Sequence, residues 1–208
     1  MENFFKFKET AMLNTFCIQT ITECSALNDW LQTDDSLDDF DNQIIDKALQ
    51  RYAALAKGWN EEELKMHFIS DILKVADPNI PNVCKTFFER PLEGVVNNYL
   101  MHVVTDCMIA SPYFFLQEFK QAQNYGKTDP QGQMLAAMLL AQEQNKDGKH
   151  LFGCYVIERH WYFTTLLGTD YCVSSAFDST KKPDLLQIVF TLRKLKELIK
   201  KRNVVLAR

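Results

Sequence analysis

The chain has 208 residues, of which 47% are hydrophobic and 12% aromatic, and its 7 glycines and 6 prolines exclude extended disorder. The longest apolar stretch, residues 134–141, is far shorter than the roughly 18 residues of a membrane helix, so we expect no membrane partner. Residues 1–9 contain no apolar signal core, and the six cysteines include no CxxC pair. These features predict a cytoplasmic protein with reduced thiols.

The net charge of -4 is unevenly distributed. Residues 181–208 contain nine basic and two acidic side chains, a balance of +7, which leaves -11 for the other 180 residues. A basic last helix could follow a phosphate backbone, although a solvated helix face is the more common reason for such a pattern. As a further hypothesis, the acidic first half shields this helix from non-specific nucleic acid.

Two segments near the amino terminus have the apolar spacing of amphipathic helices, namely residues 9–31 and 43–56. The acidic stretch 34–41 between them lacks the Gly and the closing Glu of a calcium loop, and we expect an exposed connection. We therefore predict an N-terminal helical extension, residues 1–57, ahead of a core domain, residues 58–208. A helical adaptor that docks a partner on residues 9–56 is an alternative function for the extension.

The core begins with a helix whose start is marked by Asn60, a capping residue, followed by three glutamates favoured by the positive end of the helix dipole. Asp129-Pro130 opens a second, largely apolar helix. β-branched and aromatic residues predict strands before and after that helix. The expected strands are 83–90, 99–110, 114–120, 151–157, 161–167 and 171–176, and a last helix spans about 184–201.

Short turns between the last three strands indicate an antiparallel meander. The order after residue 57 is then helix, strands, helix, strands, helix. Such an order predicts an α/β fold with a mixed β-sheet flanked by helices.

Charged residues within two of the apolar strands are candidates for chemistry. Alternation in strand 114–120 sends Glu118 and Lys120 to one face, and Asp106 lies near the end of the preceding strand. An isolated ExK is more often a surface ion pair, but a second carboxylate nearby favours a site for a hard divalent cation such as Mg²⁺. Asp106, Glu118 and the Phe119 carbonyl would be its ligands, and Lys120 would orient or deprotonate the attacking water.

These residues resemble the PD-(D/E)XK nuclease superfamily, in which a helix with a Glu precedes a strand with an Asp and a strand with (D/E)xK. Here the corresponding positions are Glu61, Asp106 and Glu118-Phe119-Lys120. The family tends to place a Gln on the following helix, which matches Gln133, with Gln131 as the fallback. The resemblance extends over about residues 60–196 and is closest to bacterial and Crinkler-type members.

The resemblance implies a restriction endonuclease-like fold and a hydrolase that cleaves phosphodiester bonds, in DNA in preference to RNA, with Mg²⁺ or Mn²⁺. It makes Glu61, Asp106, Glu118, Lys120 and Gln133 the catalytic residues, and Glu61 could also reach the metal through a water. Thr105 replaces the Pro of the family name and His102 a frequent Gly.

Other interpretations remain open. A non-catalytic module that binds nucleic acid or protein could retain the same fold, and the oligomeric state, monomer or homodimer, is not determined by the sequence. The four histidines lack metal-ligand spacing, so each is expected to be a packing or surface residue. Arg159 and Trp161 lie at a turn where they could contact nucleic acid, but Trp161 is expected in the core.

Overall fold

The computed structural model describes residues 2–3, 7–80, 85–110, 113, 115–120 and 129–206. Within these ranges, the side chains of residues 2, 3, 85, 107, 110, 116–120 and 203–206 lie outside the description. The chain divides into a first unit, residues 1–28 with 84–176, and a second unit, residues 29–83 with 177–208. The expected boundary after residue 57 does not coincide with this division, because the first 57 residues are shared between the two units.

The first unit is built on a β-sheet, with one long helix packed against it. Its elements in chain order are β1 (Glu2–Asn3), α1 (Glu9–Thr15), β2 (Gln19–Thr20), the start of α2 (Ser25–Leu31), β3 (Lys85–Val96), β4 (Tyr99–Ala110), β5 (Phe115–Lys120), α6 (Pro130–Asn145), β6 (Leu151–Ile157), β7 (His160–Leu167) and β8 (Asp170–Val173). Helices α3 to α5 belong to the second unit and are described below.

The sheet is mixed, as the order of elements predicted. Its strands follow the order β1-β4-β5-β6-β7-β8-β2, and β3 pairs with β4. Strands β3, β4 and β5 run antiparallel to their neighbours, β5 and β6 are parallel, and β6, β7 and β8 form the predicted antiparallel meander. The mixed α/β fold class is therefore confirmed.

Helix α6 forms the centre of this unit. Asp129 caps it, since its side chain accepts a hydrogen bond from the Gly132 amide at 3.0 Å. Every residue from Met134 to Ala141 is buried, as its apolar sequence predicts. The helix packs against β3, β4, β5 and β6, so it covers the strands that carry the predicted site.

The prediction of one helix over residues 9–31 is wrong. Helix α1 ends at Thr15, and Cys17 has a left-handed backbone with φ of 54°. The chain then forms β2, which pairs in parallel with β8 at Gln19 and Thr20, before α2 begins. This pairing joins residues about 150 positions apart, so local apolar periodicity could not reveal it.

The second unit is helical. Its elements are the end of α2, α3 (Asp39–Leu55), a 3₁₀ turn (Ala56–Gly58), α4 (Glu61–Leu64), a π-helical turn (Lys65–Ile69), α5 (Ser70–Ala76), the short strand β9 (Phe177–Asp178) and α7 (Lys182–Leu206). The start predicted at Asn60 is confirmed: the Asn60 side chain accepts from the Glu63 amide at 2.9 Å, and the Glu63 carboxylate accepts from the Asn60 amide at 2.6 Å.

Helix α7 extends beyond its predicted range at both ends. Its predicted apolar face is buried, comprising Leu185, Ile188, Val189, Leu192, Leu195 and Ile199. The buried Trp30 donates its indole N–H to the Thr191 carbonyl at 2.8 Å, which ties α2 to α7. In the described ranges, no helix combines the length and the apolar character that crossing a bilayer requires.

Candidate active site

Asp106 lies within β4 and is partly buried. The residue before it, Thr105, is fully buried and donates its hydroxyl to the Arg90 carbonyl at 3.3 Å. On the other side of Asp106, Met108 and Ile109 are also buried. The carboxylate therefore lies in a part of the sheet that is otherwise largely shielded from solvent.

Strand β5 carries the other three predicted residues of the motif. Cys107 pairs with Gln117, and Met108 with Leu116, so continuing this antiparallel register by one step brings position 118 opposite Asp106. On its other edge β5 pairs in parallel with β6, where Glu118 is the partner of Tyr155 and Lys120 that of Ile157. The side chains of Glu118, Phe119 and Lys120 lie outside the described residues.

The described side chains include no group of three or more His, Cys, Asp or Glu that could hold a metal ion. Glu118 is not among the side chains covered by that statement. Two oxygen-bearing positions on adjacent strands, Asp106 and position 118, are the arrangement from which a hard cation can draw its protein ligands.

The start of α6 lies over the end of β6 that pairs with position 118. The Tyr155 hydroxyl donates to the Gln131 side-chain carbonyl at 3.1 Å, and the Gln131 amide donates to the Glu9 carboxylate. Gln131 is therefore occupied in the packing of α6 against α1 and β6. Two residues further, the Gln133 Oε1 atom is buried and accepts no hydrogen bond from the described residues. A buried carbonyl oxygen without a donor is costly, so Gln133 suits a polar ligand better than Gln131 does.

Glu61 is the first residue of α4 and belongs to the second unit, whereas Asp106, Glu118 and Gln133 belong to the first. Its side chain is 20% exposed and forms an ion pair with Lys65 at 3.2 Å, one helical turn away. Leu64 and Phe68 are buried, as expected for the helix face that Glu61 was predicted to share. The π-helical turn that follows α4 was not predicted.

Sequence reasoning did not single out Glu89 in β3. Phe88 pairs with Cys107 and Arg90 with Thr105, so Glu89 stands opposite Asp106 on the other edge of β4. Its φ of 49° is rare for a residue with a side chain inside a strand, and such local distortions often occur beside active sites. The alternation of faces changes here too, because Phe88 is 58% exposed while Phe87 packs against the core. No sequence signal indicates this backbone conformation.

The basic residues of α7 were considered as a phosphate-binding surface. Several of them are engaged within the second unit instead: Lys182 pairs with Asp46 at 2.7 Å and Lys196 with Asp77 at 3.0 Å. Burial alone would raise the pKa of Asp77, but the hydrogen bond and charge of Lys196 hold that pKa below its ordinary value.

Arg193 is bound most extensively of these residues. Its guanidinium donates to the Val75 carbonyl at 3.1 Å and the Ser36 carbonyl at 3.2 Å, and it forms ion pairs with Asp35 and Asp41. Acidic residues of the first half therefore neutralise cations of the last helix.

Trp161 is fully buried, in agreement with the expectation that it belongs to the core. His102 is exposed and its ring lies 2.5 Å from the Glu93 carboxylate, its cross-strand partner. Burial lowers the pKa of His150. Compared with protein-family models and with curated proteins, the chain finds no match in either.

Proposed function

We propose that the protein is a metal-dependent nuclease that hydrolyses phosphodiester bonds, in DNA in preference to RNA. The observation that carries the proposal is the register of β4 and β5, which brings the backbone of position 118 opposite Asp106. The two carboxylates of the sequence motif, 12 positions apart in the chain, thereby come to neighbouring points of one sheet.

The neighbouring strand and helix support a common location for these groups. Residues directly opposite each other in a sheet share a face, so we infer that the Asp106 and Glu118 side chains share the face of Tyr155. Tyr155 contacts α6 through Gln131, and α6 also carries the buried Oε1 atom of Gln133. Asp106, Glu118 and Gln133 would then converge at the amino-terminal end of α6.

In this proposal Asp106, Glu118 and the Phe119 carbonyl hold one Mg²⁺ or Mn²⁺ ion. A divalent ion at such a site supplies charge for the scissile phosphate and lowers the pKa of bound water. Lys120 orients or deprotonates the water and offsets charge on the phosphate, while the Gln133 carbonyl accepts a hydrogen bond from the water. Glu61 enters the proposal through the family resemblance, as a carboxylate that reaches the metal through a water.

A cleavage assay tests the proposal. Purified protein is incubated with supercoiled, linear and branched DNA and with RNA, in Mg²⁺ and in excess chelator. We expect cleavage that the chelator abolishes and that Asp106→Asn or Lys120→Ala slows by roughly 100-fold or more, as found when one group that stabilises a transition state is removed.

Two exposed residues provide matched controls. Glu143→Gln, near the end of α6, and Lys57→Ala, in the 3₁₀ turn, remove the same charges elsewhere and should leave the rate unchanged. Cleavage that Asp106→Asn and Lys120→Ala do not affect would point to a contaminating nuclease. Binding of nucleic acid without any cleavage would favour the non-catalytic module instead.

A further inference from the structure

Two cysteines that the nuclease proposal does not use meet at the β8 end of the sheet in the first unit. Cys172 lies in β8 directly opposite Thr165 of β7, so both side chains share one face of the sheet. Cys24 follows β2, which pairs with β8 on its other edge. The structure thereby brings together two thiols that are 148 residues apart in the sequence.

The contacts around the two sulfurs are specific. Cys24 Sγ lies 3.3 Å from the Thr165 hydroxyl oxygen, and the Cys172 thiol lies 3.2 Å from the Ile21 carbonyl, to which it can donate. The two cysteine side chains are also hydrogen-bonded to each other. Cys24 is partly exposed, whereas Cys172 is only 2% exposed. One sulfur of the pair is therefore accessible from solvent and the other is sheltered behind it.

The protonation of the two sulfurs differs. Burial alone would raise the pKa of Cys24, but hydrogen bonds from Thr165, the Leu27 amide, Cys172 and the Ala26 amide together lower it. Burial, followed by the neighbouring Cys24 and Asp170, raises the pKa of Cys172 to about 12. Cys24 thus carries the more nucleophilic thiolate, while Cys172 keeps its proton and donates it in a hydrogen bond.

We propose that Cys24 and Cys172 form a redox pair that a hydroperoxide converts into a disulfide. The Cys24 thiolate attacks the outer peroxide oxygen and the O–O bond breaks. The leaving alkoxide, or hydroxide from hydrogen peroxide, takes up a proton, which leaves Cys24 as a sulfenic acid. Cys172 Sγ then attacks the Cys24 sulfur and the S–O bond breaks. Hydroxide departs as water with the Cys172 proton.

The balance is two thiols and one hydroperoxide giving one disulfide, one alcohol and one water. The two electrons that the thiols lose reduce the O–O bond, so no further reductant or oxidant is needed. A thiol reductant reverses the reaction. Closing the bond ties the segment after β2 to β8 and constrains the unfolded chain over a long loop, which should stabilise the native state.

The test uses the reduced full-length protein. It is treated with an equimolar amount of hydrogen peroxide, the remaining thiols are alkylated, and peptides are mapped by mass spectrometry. We expect one cross-link, between the peptides that contain Cys24 and Cys172, which dithiothreitol removes. The midpoint of urea unfolding should rise on oxidation and fall again on reduction.

Three variants test the assigned roles. In Cys172→Ser the sulfenic acid at Cys24 cannot close, so dimedone should label Cys24 in this variant and only weakly in the wild type. Thr165→Val removes a hydrogen bond to Cys24 and should slow closure several-fold. Cys17→Ser changes a cysteine that is more exposed than Cys24 and should close at the wild-type rate.

Two results would overturn the proposal. One is a wild-type protein in which Cys24 stays reduced under peroxide while the exposed Cys17 is oxidised. The other is oxidation of Cys24 to a sulfinic acid, or its linkage to a different cysteine, without a bond to Cys172. Neither result bears on the metal site, because neither cysteine belongs to it.

Discussion

Replacing Gly132 by Ala should destabilise the protein, although glycine within a helix is normally less stable than alanine by about 1 kcal/mol. Gly132 is the third residue of α6. A Cβ atom there would overlap the Phe7 carbonyl oxygen and lie 2.7 Å from the Glu9 amide nitrogen. Both obstacles are backbone atoms, so α1 and the start of α6 would have to separate.

The expected magnitude follows from three contributions. Overpacking against backbone costs about 3 kcal/mol, at the upper end of the usual range. Separation also weakens the hydrogen bond of 2.7 Å from the Glu9 amide to Asp129, worth about 1 kcal/mol. The gain in helix propensity offsets about 1 kcal/mol. The net loss is about 3 kcal/mol, which lowers the midpoint of urea unfolding by about 1.5 M for a slope of roughly 2 kcal/mol/M.

Gly58→Ala is the matched control, because a Cβ atom at Gly58 would meet nothing within 4 Å. This variant should keep the wild-type midpoint or raise it slightly. The close approach of α1 to α6 would be refuted if Gly132→Ala raised the urea midpoint as Gly58→Ala does. Because Gln133 follows Gly132, the same substitution should also reduce any DNA cleavage.

Two further predictions concern charges. Burial, and then Asp129, raises the pKa of Glu9 above its ordinary value of 4.5, so the folded state favours the neutral acid. Stability due to Glu9 therefore falls as pH rises from 4.5 through the raised pKa, and Glu9→Gln should flatten the urea midpoint over this range; an unchanged pH profile would contradict the assignment. The double variant Asp35→Asn and Asp41→Asn frees Arg193 from its ion pairs and should tighten binding to duplex DNA at low salt, measured by fluorescence anisotropy. Equal affinities at low salt would remove the support for shielding of α7.

The elements after residue 129 could be predicted because local chemistry and tertiary structure agree there. Asp129 caps α6, alternation marks the strands, and short turns allow only antiparallel neighbours. The strand predicted over residues 83–90 is longer, since β3 continues through Pro91 and Gly94. Both residues usually interrupt strands, but in the described part of the sheet β3 pairs only with β4, and a strand edge without ladder partners tolerates Pro.

The candidate site was predictable in part. Alternation relates Glu118 to Lys120, but the register of two strands depends on how their turn closes and on the packing of both faces, which sequence spacing does not specify. The choice between Gln131 and Gln133 likewise depends on hydrogen bonds to Tyr155 and Glu9. Glu89 could not be found, because nothing in its sequence neighbourhood predicts a left-handed backbone within a strand.

The central claim is that Asp106 and Glu118 together hold one divalent cation. Isothermal titration of the purified protein with Mn²⁺ measures this directly, beside Asp106→Asn, Glu118→Gln and the control Glu143→Gln. The account predicts one site in the wild type and in the control, and its loss in each of the other two variants. Absence of binding to the wild type, or binding that both Asp106→Asn and Glu118→Gln retain, would contradict it.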